Sequence, residues 1–111
     1  MNKYDQSKPG IRRQGDVLLV PVSEIPANAH KKEDNIVAYG ESTGHYHQFM
    51  AETALVSVNP AAMFVEVIEP TLLQHCGDPE GHKPQMVPKG KYQVVIKREL
   101  DEVGDIQQVR D

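Results

Sequence analysis

The chain has 111 residues, 39% of them hydrophobic, and sixteen acidic against twelve basic side chains give a net charge of −4. That length supports one domain with a modest core, and the acidic balance argues against nucleic acid as the main partner, because phosphate binding wants a basic surface. The single cysteine, Cys76, excludes an intrachain disulfide and fits a reducing cytosol. No secretory signal is visible and no apolar run approaches the ~18 residues of a membrane span. The expectation is therefore a soluble, cytoplasmic protein.

Residues 1–10 end in Pro9-Gly10 and read as a polar N-terminal arm, with 11–111 as a single β domain. Lys8, Arg12 and Arg13 form a small basic cluster near the arm, of the kind that is ordinarily solvated. Gly15-Asp16 opens Val17 to Val22, the clearest strand, and Pro21 places its far end at an edge or bulge. Residues 23–35 form a charged connection in which His30 is an exposed loop residue. Ile36 to Tyr39 is a second short strand.

A Gly-bounded loop, Gly40 to Gly44, leads into a strand carrying His45 and His47. In an extended segment, residues two apart share a face. His45, His47 and Phe49 then lie on one side, and Tyr46, Gln48 and Met50 on the other. Residues 54–58 and 63–68 are joined by Asn59-Pro60-Ala61-Ala62 and read as a hairpin with Pro60 second in a type I turn. Residues 71–75 form a further strand, followed by a Gly/Pro-rich loop from Cys76 to Pro84. After the turn Pro88-Lys89-Gly90, the run from Lys91 to Lys97 alternates, with Tyr92, Val94 and Ile96 on one face. Residues 101–105 read as a polar turn before a terminal strand or frayed end at 106–109. No long helical period occurs. The pattern predicts an all-β fold, a small, mostly antiparallel β-barrel or sandwich, with a cupin-like jelly roll among the options.

His45 and His47, with Cα atoms roughly 6.5–7 Å apart on one strand face, supply two imidazoles at low entropic cost. His75 and His82 flank a loop that can bring both ends to the same ion. These four are the expected metal ligands; Glu41, Glu52 and Cys76 are weaker options. Imidazole sets suit zinc first, with iron, manganese, nickel or copper as alternatives. Ser42 and Thr43 make no Ser/His/Asp arrangement, and no phosphate-cradling loop is present. No catalytic residue is assigned.

Gly40, His45-Tyr46-His47 and Glu52 resemble the first motif of the cupin superfamily. Pro88-Lys89-Gly90 resembles the start of its second motif, with Gln93 where that motif has a histidine. The resemblance implies His45 and His47 as metal ligands, Glu52 beside them, and a metal-dependent enzyme. An ordered set of motifs also resembles a group of short, uncharacterised bacterial and phage proteins. That set comprises Gly15 to Leu19, Thr43 to His47, Leu73 to His75, His82, Pro88 to Val94 and Arg98-Glu99. The resulting expectation is a metal-binding β protein, phage-associated, with a structural or binding role rather than an enzymatic one. Its rivals are a cupin-type enzyme and a metal-free module that forms homo-oligomers or docks a protein partner.

Overall fold

A computed structural model describes residues 10–39, 44–77 and 83–97. Ten strands form among them: β1 Arg12–Gln14, β2 Val17–Pro21, β3 His30–Lys31, β4 Ile36–Tyr39, β5 Tyr46–Phe49, β6 Ala54–Val58, β7 Met63–Val67, β8 Thr71–Cys76, β9 Gln85–Val87 and β10 Gly90–Ile96. They pair antiparallel into a six-stranded sheet, β1-β2-β10-β7-β6-β3, and a four-stranded sheet, β4-β5-β8-β9. Of the two architectures the sequence allows, the structure takes the sandwich; the sheets do not close into a barrel.

Alternation builds the core. Cross-strand rows of the larger sheet, such as Leu19 opposite Val94 and Tyr92 opposite Val65 opposite Val56, point inward. The smaller sheet contributes Val37, Phe49, Leu73 and Val87 to the same cluster. The predicted faces hold: His47 and Phe49 are buried, whereas Met50 is exposed. The hairpin at residues 54–67 forms as expected, with Val58 opposite Met63. Asn59 closes its turn, accepting at Oδ1 from the amides of Ala61 (2.8 Å) and Ala62 (2.7 Å). Pro21 ends β2 beside Tyr92, beyond Leu19, where the β1 pairing stops. Its missing amide donor therefore faces a side that needs none.

Three short strands depart from the sequence reading. Arg12 and Arg13 are not a solvated arm but part of β1, paired to β2; Lys8 lies outside the described residues. His30 is exposed, as expected, yet it sits in β3 against Val58 and not in a loop. Residues 85–87 form β9 on β8. Each is two or three residues long, too short to show a period of its own, and is specified by its partner strand. The predicted features at 101–109 also lie outside the described residues.

Tyr92 is fully buried and donates its hydroxyl to the Pro88 carbonyl at 2.8 Å. Burial holds its phenol above the usual 10.0, opposed by the charge and hydrogen bond of Arg12. A raised phenol contributes stability that is present below the unfolded value and is lost as pH rises through the folded one. Tyr92→Phe should cost about 1 kcal/mol at neutral pH. It should also flatten the loss of stability that wild type shows above about pH 10, measured by urea unfolding across that range.

Candidate metal centre

The centre forms where β5 and β8 run side by side. His47 is the register partner of His75, so both rings leave the same face of the sheet at adjacent positions. They stack, with centroids 4.4 Å apart and planes 8° from parallel. His45 precedes β5 on the same side, and its ring meets that of His75 edge-on, at 6.1 Å and 87°. Gly44, at φ 90°, provides the turn before His45. Three of the four predicted histidine ligands thus come together. His82 and Glu41 lie outside the described residues.

The other predicted donors are elsewhere. Cys76 is opposite Tyr46 and next to His75 in β8, so alternation turns it to the outer face. Its thiol leans on the Gln74 carbonyl at 3.8 Å. Glu52 is exposed and lines an open polar cleft of about 500 Å³ with Lys31, Glu33, Asp34 and Gln48. Gln48 points away from the histidines, on the opposite face of β5 from His47.

Two participants come from the opposite sheet, through the β1–β2 hairpin. Gln14 is 2% exposed, as is His47. Gln14 Nε2 donates to the carbonyls of Leu73 and Lys83, each at 2.9 Å. Both amide hydrogens are thereby used, which fixes the orientation of the carboxamide. Its Oε1 lies 2.7 Å from His47 Nδ1. An oxygen there only accepts, so His47 carries its proton on Nδ1, and in the neutral ring Nε2 holds the lone pair. Nε2 faces Asp16 Oδ1 at 4.0 Å.

The sequence reading missed both residues. A signal for them exists: Gly15-Asp16 between two extended segments is a two-residue hairpin turn, and Gly15 has φ 63°. That turn brings Gln14 opposite Val17, on the inward face.

The donor chemistry suits a metal, because a ligating histidine ordinarily donates its other ring nitrogen to a fixed acceptor. Among the described residues, no three His, Cys, Asp or Glu side chains stand at coordinating positions. The stack explains this. Imidazole lone pairs lie in the ring plane, so two parallel rings do not aim at one ion. Coordination of one ion by both would require the His75 ring to turn out of the stack.

Residues 13–97 match the family described as Domain of unknown function (DUF8820). The chain belongs to this family. The DUF8820 match runs from within β1 to the end of β10, so it contains Gln14, Asp16 and the three clustered histidines. No curated protein and no solved structure matches the chain. Among the described residues no helix is long and apolar enough to cross a membrane.

Proposed function

We propose that this DUF8820 domain binds one transition-metal ion, zinc first, through His45, His47 and His75, in a structural or binding role. The observation that carries the reading is the buried His47–Gln14 pair. A carboxamide locked by two backbone carbonyls holds the ring in one tautomer, beside two more imidazoles. Such an arrangement is what a ligating histidine needs before the ion arrives. Packing of His47 in the core favours a structural role, since a metal there stabilises the folded state directly. The cupin-type enzyme reading draws on Glu52 or Glu41: the place of Glu52 in the surface cleft gives it no support, and Glu41 lies outside the described residues.

Elemental analysis of the purified chain should find about one equivalent of metal. Removing it with a chelator should lower the melting temperature. His45→Ala and His75→Ala, at half-buried positions that leave the core intact, should each reduce metal content severalfold. Wild-type protein that neither carries metal nor gains thermal stability on adding Zn2+ would overturn the proposal.

A further inference from the structure

We propose that Asp16 is the oxygen ligand that closes the histidine site from the opposite sheet, with Gln14 as the positioning residue that commits His47 Nε2 to it. The inference rests on the metal-binding reading and makes it more specific. The ion would bridge the two layers of the sandwich and be a borderline divalent cation such as Zn2+, not Cu(I).

The geometry begins with His47. Its Nδ1 is engaged by Gln14 Oε1 at 2.7 Å, which directs coordination to Nε2. The carboxylate facing Nε2 is Asp16, with Oδ1 at 4.0 Å. That distance is too long for a hydrogen bond. It is also just under twice the roughly 2.0–2.2 Å bonds zinc makes to nitrogen and oxygen. Tetrahedral coordination asks the two atoms to stand about 3.3 Å apart, so a closure of about 0.7 Å suffices. Asp16 can supply it: its side chain is 26% exposed against 3% for His47, and it sits in a two-residue turn. Its backbone is anchored separately, the Asp16 carbonyl accepting from Lys97 N at 2.7 Å.

The donor set decides the class of ion. Imidazoles with one carboxylate suit zinc and its divalent neighbours, whereas Cu(I) prefers thiolate or thioether. Cys76 lies on the outer face of β8, Met50 and Met86 are exposed at 49% and 54%, and Met63 packs against the core from β7 of the larger sheet. None of these sulfurs belongs to the histidine face.

The test uses the full chain stripped of metal, titrated with Zn2+ against a competing chelator. Asp16→Asn is nearly isosteric and keeps the backbone contact. It should weaken Zn2+ binding at least tenfold and abolish most of the zinc-induced rise in melting temperature, read against the metal-free melting temperature of the same variant. Nitrogen-15 NMR of metal-free wild type should show His47 protonated on Nδ1. Zn2+ affinity unchanged in Asp16→Asn would overturn the assignment of Asp16 and leave the histidine site standing. Protonation of His47 on Nε2 would overturn the role of Gln14. Wild type that ignores Zn2+ altogether would remove both this inference and the reading beneath it.

Discussion

Gly77→Ala is expected to destabilise the protein by about 3 kcal/mol and to lower its melting temperature by roughly 10–20 °C. Two independent penalties combine at this residue. Gly77 has φ 86°, a left-handed conformation that an L side chain enters at a cost of roughly 1–2 kcal/mol. A Cβ at this position would also overlap the Gly44 carbonyl oxygen and stand 2.9 Å from its carbonyl carbon and 3.2 Å from His45 Cα. These are backbone atoms, so no side-chain rotation relieves the overlap. The strands meet here just beyond the last paired residues, Tyr46 and Cys76.

Gly44→Ala separates the two penalties. Gly44 shares the left-handed conformation at φ 90°, but nothing lies within 4 Å of a Cβ built there. It should cost only the conformational part, about 1–2 kcal/mol. Chemical denaturation of the two variants reads the difference directly. Gly77→Ala should also reduce metal content, because the displaced backbone is that of His45. A Gly77→Ala protein within 1 kcal/mol of wild type would show that the strands do not approach so closely.

The parts of the fold legible in the sequence are those with a repeat long enough to read. The strand run from Tyr92 to Ile96 and the alternation across His45, His47 and Phe49 show which side faces the core. The Asn59-Pro60 turn fixes how β6 and β7 pair. His75 was recognisable as a partner of His47 only by residue type. Their adjacency is a matter of β5–β8 register, which no local pattern encodes. Gln14 was invisible for a related reason. Arg12 and Arg13 just before it read as part of a solvated cluster, and Gln14 becomes an inward-facing strand residue only because β2 pairs with this segment. Glutamine, moreover, is neither a titrating group nor a usual ligand. Its part in the site is to orient another side chain, which composition and spacing do not reveal. Sorting donors by face was equally beyond the sequence for Cys76 and Glu52, since it needs the strand and bulge geometry that only the fold supplies.

Gln14→Met should cost about 3 kcal/mol or more, read as a fall in melting temperature of roughly 10–20 °C. Methionine has nearly the volume of glutamine, so the loss reports hydrogen bonds and not a cavity. Three contacts go at once: those to the carbonyls of Leu73 and Lys83, and the one accepted from His47 Nδ1. Leaving a buried polar group without its partner costs about 1–3 kcal/mol, whereas replacing both partners with apolar groups costs far less. The sharper test therefore pairs Gln14→Met with His47→Phe, whose ring can still stack on His75. The double variant should lose less stability than the sum of the singles, by about 1–2 kcal/mol, because no Nδ1–H then remains to be satisfied. Strict additivity would mean that Gln14 serves only the Leu73 and Lys83 carbonyls, as a tie between sheets. Sub-additivity would show that it is also matched to His47. In the metal-free single variant Gln14→Met, the Nδ1-protonated population of His47 should fall, since the carboxamide oxygen 2.7 Å from that nitrogen is gone. Stability and tautomer should then change together, as expected if the buried glutamine both ties the two sheets and sets the nitrogen that His47 presents.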